Sequence, residues 1–194
     1  MLKPLGSSTL ASTLALLLVA WAQASLANPD EGLKALAEQA AVLVLRHAQT
    51  VPGTGDPAGF RLDDCATQRN LNDRGREQAR AMGQALRSAG VKSARIYASP
   101  WCRSRETAEL LDLGPVEIDA LLASTWNDRV VNPDRADELR RVILGWKGPE
   151  AMILVTHGIN VRQLLGRSPR QGGGFVVLPD PQNSEALSIV SALP

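Results

Sequence analysis

Two short, uninterrupted apolar runs, Ala41–Leu45 and Met152–Val155, constrain the fold of this chain most strongly. A run of this length without polar alternation is typical of a strand that is buried on both faces. Such strands occur mainly in parallel sheets that helices cover on both sides. The runs therefore predict an α/β fold with a mostly parallel sheet.

Helical patterns lie between the apolar runs. The clearest predicted helix spans 73–89, with Asn72 as its N-cap and Gly90 at its end. Its buried stripe has helical spacing and consists of Ala79, Met82, Gly83 and Leu86. Further predicted strands are 95–98, an edge strand 116–118, 175–178 and 186–190; further predicted helices are 31–39, one capped by Ser99, one with the stripe Leu139, Val142, Ile143 and Trp146, and one marked by Val161, Leu164 and Leu165. The alternation predicts a three-layer α/β/α fold.

Residues 1–27 differ in character from the rest of the chain. A single charged residue, Lys3, precedes the strongly apolar core Leu14–Ala20, which is shorter than a membrane-spanning helix requires. Small residues follow, so cleavage after Ala24 or Ala27 fits a secretory signal peptide. An uncleaved membrane anchor is the alternative.

Residues 28–194 are predicted to form a single domain that is periplasmic or secreted, without stable membrane insertion after cleavage. Hydrophobic residues make up 44% and charged residues 21% of the sequence, which excludes wholesale disorder. Because 21 basic residues face 20 acidic ones, the charge balance gives no basis for nucleic-acid binding.

The two cysteines, Cys65 and Cys102, are too few for a disulfide scaffold and lack zinc-finger spacing. Export would permit a disulfide between them, and two buried thiols are the alternative. With only two histidines and no His/Cys cluster, we expect neither a metal site nor a cofactor.

Both histidines follow a predicted buried strand. His47 comes just after the first run and His157 just after the second. Ligands of open α/β sheets bind beyond the carboxyl ends of the strands, so both imidazoles are expected at that edge. Arg46 precedes one histidine, Arg103 lies in the first turn of a predicted helix, and the Gly158 amide begins another. These groups describe an oxyanion pocket suited to phosphate, and two structural histidines are the alternative.

The segment from Thr50 to Asp64 is rich in glycine and proline and must be a loop of unusual length. Within it, Gly53–Ala58 matches the dinucleotide signature G-x-G-x-x-A. Pro57 interrupts that match and the strand ends well before it, so no dinucleotide site is predicted.

Four motifs resemble the signature of the histidine phosphatase superfamily, which has the phosphoglycerate-mutase-like fold. Leu45-Arg-His-Ala-Gln-Thr50 resembles R-H-G-[EQ]-[ST], and Leu71-Asn-Asp-Arg-Gly75 resembles the helix start L-[ST]-x-x-G. Ser99-Pro-Trp-Cys-Arg-Ser-Arg-Glu-Thr-Ala108 is similar to S-P-L-x-R-A-x-x-T-A, and Val155-Thr-His-Gly158 is similar to the second-histidine strand end. The secreted form, with Gly55-Asp-Pro57 and Asp63-Asp-Cys-Ala-Thr-Gln-Arg-Asn-Leu71, resembles the periplasmic branch that includes the lipopolysaccharide core heptose phosphatase.

The resemblance implies a role for each matching residue. His47 would be the nucleophile that forms a phosphohistidine, while Arg46, Arg103 and His157 would bind the phosphoryl oxygens. No metal would be needed, because arginines replace the usual cation. The residues with implied substrate-binding roles are Gln49, Arg69 and Gly158.

Two positions depart from the family pattern. Ala48 replaces the signature glycine, and Ala123 stands where many members have a glutamate that protonates the leaving group. We predict Asp128 as the substitute, with Asp119 or Asp134 next. The alternatives are a structural Asp128 or no proton donor, which would suit phosphohistidine substrates.

The expected protein is an exported, metal-independent phosphomonoesterase acting on a phosphorylated small molecule or glycan, such as a phosphosugar or a lipopolysaccharide core phosphate. The alternatives are a phosphoglycerate-mutase-type isomerase, a phosphohistidine phosphatase and a non-catalytic phosphate-binding protein.

We predict that EDTA leaves phosphatase activity essentially unchanged, because arginines are expected to take the place of a divalent cation. The measurement is turnover of p-nitrophenyl phosphate before and after dialysis against the chelator. Loss of activity that a single divalent ion restores would contradict the prediction.

Overall fold

The computed structural model describes residues 28–126 and 133–194. The predicted signal peptide, residues 1–27, and the predicted proton donor Asp128 lie outside the described residues. The described helices are α1 (Pro29–Glu38), α2 (Asp73–Ser88), α3 (Cys102–Leu111), α4 (Pro133–Gly145) and α5 (Gly158–Leu165). The described strands are β1 (Val42–Arg46), β2 (Ala94–Ala98), β3 (Val116–Ile118), β4 (Ala151–Thr156), β5 (Gly174–Pro179) and β6 (Leu187–Leu193). None of these described helices has the length and apolarity needed to cross a membrane.

The strands form one sheet in the order β3-β2-β4-β1-β5-β6. β3, β2, β4 and β1 are parallel, whereas β5 runs antiparallel to β1, and β6 antiparallel to β5. Helices α1, α2 and α3 contribute to the apolar core on one face, and α4 and α5 to the core on the other. The predicted three-layer α/β/α fold with a mostly parallel sheet is confirmed.

Burial on both faces explains the uninterrupted apolar run of β1. Leu43 and Leu45 belong to the core beneath α1, α2 and α3, whereas Val42 and Val44 belong to the opposite core. Each of these side chains is at most 2% exposed. Burying a side chain of this size contributes roughly 1.5–3 kcal/mol, so both cores hold the strand in place.

Two predictions about the helices are wrong in detail. α3 begins at Cys102 with Trp101 as its N-cap, and the Ser99 hydroxyl is hydrogen-bonded to a histidine ring. Val142 is 42% exposed, so it does not belong to the buried stripe of α4, and Trp146 lies just beyond the end of that helix. Leu139 and Ile143 are buried as predicted.

Cys65 and Cys102 form a disulfide, which decides between the alternatives left open by the sequence. The bond joins a short 3₁₀ turn, Cys65–Thr67, to the first residue of α3. Gln68 supports the same junction, because its side-chain oxygen accepts a hydrogen bond from the Cys102 amide at 3.0 Å. The long loop after β1 is therefore fixed to the N-terminus of α3.

We predict that the double variant Cys65→Ser/Cys102→Ser has a free energy of unfolding about 2–4 kcal/mol below that of the oxidised protein. The crosslink spans a sequence separation of 37 residues and restricts the unfolded chain. Urea titrations of both proteins provide the comparison, and the reduced wild type should unfold at the same urea concentration as the variant. Equal midpoints for the oxidised wild type and the variant would contradict a stabilising role.

Candidate active site

The pairing of β1 with β4 brings the two histidines together. Arg46 pairs with Thr156 at the carboxyl ends of these parallel strands, and His47 and His157 follow directly. The His47 amide donates to the Thr156 carbonyl at 2.9 Å, and the two imidazole centroids lie 5.3 Å apart. Both imidazoles therefore lie at the edge of the sheet where ligands of α/β folds bind.

A cavity of about 410 Å³ opens at this edge of the sheet. Its walls come from the ends of β1 and β4, the loop after β1, the first turns of α3 and α5, and residues near 124–126 and 168–171. The lining residues with charged or imidazole side chains are Arg46, His47, Asp56, Arg69, Arg103, His157 and Arg162.

His47 is buried, and one hydrogen bond fixes its tautomer. Its Nδ1 lies 2.9 Å from the Ala48 carbonyl oxygen. A carbonyl oxygen only accepts, so Nδ1 carries the proton and Nε2 keeps a free lone pair. Burial and the charge of Arg103 lower the pKa of His47 to about 3, with smaller contributions from other arginines. The imidazole is therefore neutral near pH 7, the state that a nucleophile requires.

His157 is also buried, at the N-cap position of α5. Its Nε2 lies 2.7 Å from the Ser99 hydroxyl oxygen, and that oxygen accepts a hydrogen bond from the Trp101 amide at 3.3 Å. Burial is the largest cause that lowers the pKa of His157 well below its usual range, followed by the neighbouring His47 and then by the nearby arginines. His157 is thus a neutral imidazole in a fixed orientation.

Arg46 lies against the N-terminus of α5. Its Nη1 donates to the Pro169 carbonyl at 3.0 Å. A Cβ atom at Gly158 would lie only 3.1 Å from the Arg46 Cζ and 2.9 Å from the Ser168 hydroxyl oxygen. Glycine at this position therefore lets the guanidinium approach a helix N-terminus, where free amides and the helix dipole favour anions.

Arg103 is buried and forms a two-point ion pair with Asp56. Its Nη1 and Nη2 donate to the two carboxylate oxygens at 2.7 and 3.2 Å. The same carboxylate accepts from the Arg69 amide and from Trp101 Nε1, each at 3.0 Å. Burial alone would raise the pKa of Asp56, but these hydrogen bonds and the Arg103 charge outweigh burial and lower it. Asp56 is therefore ionised, and it orients Arg103.

Asp56 is a site residue that sequence reasoning missed. It lies within Gly53–Ala58, which we interpreted as a failed match to the dinucleotide signature and, at Gly55-Asp-Pro57, as part of the resemblance to the periplasmic branch, without a site role for Asp56. The available signal was its position: an acidic residue in a long loop that starts at the ligand-binding edge of the sheet. Its pairing with Arg103, 47 positions away, requires the folded chain.

Three arginines of the cavity each carry a buried donor. Within the described part of the chain, the Nε atoms of Arg46, Arg69 and Arg103 have no hydrogen-bond acceptor. Arg69 is held in place by its Nη1, which donates to the Gly53 carbonyl at 2.6 Å. These Nε atoms are covered by protein, but the three arginines line the cavity, where their positive charge suits an anion such as phosphate.

The remaining predicted substrate-binding residues have different environments. Gly158 lines the cavity as the first residue of α5. Gln49 does not occur among the described lining residues. Its amide donates to the Gln78 side chain at 3.0 Å, and its carbonyl accepts from the Asn72 amide at 3.1 Å. Gln49 therefore anchors the start of α2 in this structure.

The candidates for the proton donor lie in different parts of the chain. Asp56 is the only carboxylate among the described residues that line the cavity. Asp119 caps a short 3₁₀ turn and Asp134 lies in the first turn of α4, and neither belongs to that lining. Ala123 carries no side-chain acid, and the preferred candidate Asp128 lies outside the described residues.

Comparison with protein families finds a match over part of the chain. Residues 42–125 match the family described as histidine phosphatase superfamily, branch 1. The matched segment is less than half of the chain and contains three of the four motifs, so the chain is similar to that superfamily over these residues. No curated protein sequence matches the chain significantly.

Solved structures share the fold at low sequence identity. The product of a Mycobacterium tuberculosis open reading frame is 20% identical, with a TM-score of 0.58 over 77% of this chain and 95% of its own. The protein histidine phosphatase SixA is 18% identical, with a TM-score of 0.53 over 79% of this chain and 96% of its own. A mycobacterial glucosyl-3-phosphoglycerate phosphatase is 17% identical, with a TM-score of 0.57 over 79% of this chain and 99% of its own.

We predict that Arg103→Lys lowers kcat by about a hundredfold or more, the usual cost of removing one donor to a developing oxyanion. An ammonium cannot keep two parallel hydrogen bonds to Asp56 and also present a donor to phosphate. Arg167→Lys, a change at an exposed arginine outside the cavity lining, is the matched control. If Arg103→Lys retained the kcat of the control on p-nitrophenyl phosphate, the guanidinium would not contact the phosphoryl group.

Proposed function

We propose that this protein is an exported, metal-independent phosphomonoesterase that acts through a phosphohistidine on His47. The observation that carries the proposal is the Nδ1 hydrogen bond to the Ala48 carbonyl, which leaves Nε2 as a nucleophile in a cavity lined by arginines. No group of three or more His, Cys, Asp or Glu side chains within the described ranges is arranged to hold a metal. The proposed chemistry uses the imidazoles and guanidiniums that line the cavity.

The reaction divides into two displacements. In the first, the Nε2 lone pair of His47 attacks phosphorus, the bond from phosphorus to the ester oxygen breaks, and the leaving oxygen takes up a proton. In the second, water attacks the phosphohistidine, the P–N bond breaks, and inorganic phosphate leaves. Covalent capture replaces one difficult step by two easier ones.

The charged residues stabilise the transferring phosphoryl group. Arg46, Arg69 and Arg103 line the cavity and supply positively charged guanidinium donors, and His157 supplies a neutral imidazole beside His47. Such preorganised donors act on the charge that develops on the phosphoryl oxygens. Asp56 contributes by holding Arg103, and its low pKa makes it unsuited to proton donation.

Two features support export. The N-terminal segment has the composition of a cleaved signal peptide. Cys65 and Cys102 are joined by a disulfide, and such bonds persist mainly in the periplasm and outside the cell. The proposed location is therefore periplasmic or secreted.

The proposed substrate is a phosphosugar, for which a lipopolysaccharide core phosphate is one candidate. The resemblance of the secreted form to the periplasmic branch with the heptose phosphatase supports this class, and the glucosyl-3-phosphoglycerate phosphatase shares the fold. A second candidate is phosphohistidine in proteins. It is favoured by the ionised state of Asp56, the only carboxylate described in the lining, because a phosphohistidine leaving group needs little protonation.

A substrate panel tests the proposal. The panel compares sugar phosphates, phosphohistidine peptides and lipopolysaccharide fragments at equal concentration. The highest kcat/KM on sugar phosphates or lipopolysaccharide fragments is the expected result. Preference for phosphohistidine would establish the second candidate instead.

We predict that His47→Ala abolishes hydrolysis of every substrate in the panel, because the variant lacks the imidazole that forms the covalent intermediate in the proposed mechanism. Rapid acid-free quenching of the wild type should trap acid-labile phosphate on His47. Near-ultraviolet circular dichroism of the variant serves as the control for folding. Turnover at the wild-type rate in a folded His47→Ala protein would contradict the mechanism.

We predict that Asp128→Asn slows sugar-phosphate hydrolysis by about a hundredfold or more, the usual range for loss of a general acid. The same change should affect p-nitrophenyl phosphate much less, because nitrophenolate departs without protonation. Asp119→Asn is the comparison variant. Equal effects of Asp128→Asn on both substrates would indicate a structural role, and no effect on either would place the donor elsewhere.

A further inference from the structure

We infer that the mouth of the cavity is a subsite for a leaving group that combines a ring with an anionic substituent, and that Trp126 and Arg162 recognise these two features. The inference rests on the proposed phosphatase function and concerns which phosphosugars the enzyme accepts. Neither residue belongs to the machinery that binds and transfers the phosphoryl group.

Trp126 is an exposed indole at the rim of the cavity. Its residue is 58% exposed, and among the large exposed hydrophobic residues described it alone lines the cavity. A Cβ atom at Gly55 would lie 3.8 Å from Trp126 Nε1, so the indole edge lies beside the loop that carries Asp56. Exposed aromatic surface next to a binding cavity is suited to stacking on a flat, partly apolar ring.

Arg162 supplies an uncompensated charge on the same rim. It is exposed and lines the cavity, and its guanidinium forms no ion pair or hydrogen bond with a described residue, whereas its backbone carbonyl accepts from the Gly166 amide at 2.9 Å. It stands four residues after Gly158 in α5, which places its Cα about 6 Å farther along the helix axis. Arg162 is therefore positioned to contact a substituent of the leaving group and not the phosphate itself.

One buried residue holds the two parts of this rim together. Asn160, in α5, donates to the Ala123 carbonyl at 2.7 Å and accepts from the Thr125 hydroxyl at 3.1 Å. Asn160 is 5% exposed, so these bonds are shielded from water. The segment that carries Trp126 is thereby fixed to the helix that carries Arg162, and the two side chains form a preorganised rim.

The charge of the cavity explains why the leaving group should be anionic. Four arginines and one aspartate line the described part of the cavity, and both histidines are neutral. Asp56 neutralises Arg103, and a phosphate dianion accounts for the charges of Arg46 and Arg69. Arg162 remains, and a carboxylate or second phosphate on the leaving group would complement it.

The experiment measures KM and kcat on three substrates, each of which adds one feature that the subsite would recognise. Acetyl phosphate has neither ring nor further charge and needs no proton donor. The anomeric phosphate of glucose adds a neutral ring, and that of glucuronic acid adds a carboxylate to the same ring. The variants are Trp126→Ala, Trp126→Phe and Arg162→Gln, with Arg167→Gln as the matched control on an exposed arginine outside the cavity lining.

We expect Trp126→Ala to raise KM about tenfold for both sugar phosphates, and Trp126→Phe to restore most of the loss. Arg162→Gln should raise KM about tenfold for the glucuronic acid compound alone. Acetyl phosphate turnover should stay within about twofold in every variant, which also shows that the variants are folded.

Sugar-phosphate kinetics that the variants leave unchanged would overturn the subsite, as would equal losses on all three substrates. The wild type could also hydrolyse acetyl phosphate but neither sugar phosphate. That result would overturn the subsite and leave the proposed phosphatase function intact. Failure to hydrolyse acetyl phosphate would instead overturn the proposed function together with the subsite.

Discussion

The candidate active site depends on the parallel pairing of β1 with β4 at the centre of the sheet. The register Leu45 to Val155 makes the two strands end level, so the residues that follow occupy neighbouring positions. A slip of one residue would turn the apolar side chains of β1 toward the wrong cores. Because both cores oppose such a slip, packing far from the cavity fixes the 5.3 Å separation of the imidazoles.

Electrostatics at the site follows from this burial. Several positive guanidiniums surround the two imidazoles, and the low polarity of the surroundings further disfavours imidazolium. Both histidines are therefore neutral while the arginines stay charged. Burying an unpaired guanidinium is costly, and the two-point pair with Asp56 offsets that cost for Arg103. The result is a set of fixed donors whose orientation does not have to change during the reaction.

Features that depend on periodicity or strand order could be predicted from the sequence. The continuous apolar runs indicated the central strands, and their ends placed His47 and His157 at one edge of the sheet. Asn72 and Gly75 could be assigned to the start of α2, and the fold adds the reason for Gly75. A Cβ atom there would lie 2.0 Å from the Gln49 carbonyl oxygen. A close backbone contact of this kind requires glycine, but the sequence shows only the glycine and not the residue that it contacts.

Features that depend on distant contacts could not be predicted. Ser99 fits an N-cap by its position in the sequence. In the folded chain it lies beside His157, 58 positions away, and its hydroxyl is hydrogen-bonded to the imidazole. The disulfide could not be predicted without the geometry of the loop after β1. The role of Asp56 could not be predicted without its contact with Arg103. Ala48 replaces the signature glycine, and its methyl group packs in a small buried cluster with Leu71 and Ala79.

The central claim is that His47 is neutral with its proton on Nδ1, and a ¹⁵N–¹H correlation spectrum of the imidazoles tests it most directly. A His157→Gln sample assigns the two rings. The account predicts a His47 ring that is protonated at Nδ1 and does not titrate between about pH 5 and about pH 8. A proton on Nε2, or a midpoint near the ordinary value of about 6.5, would contradict it.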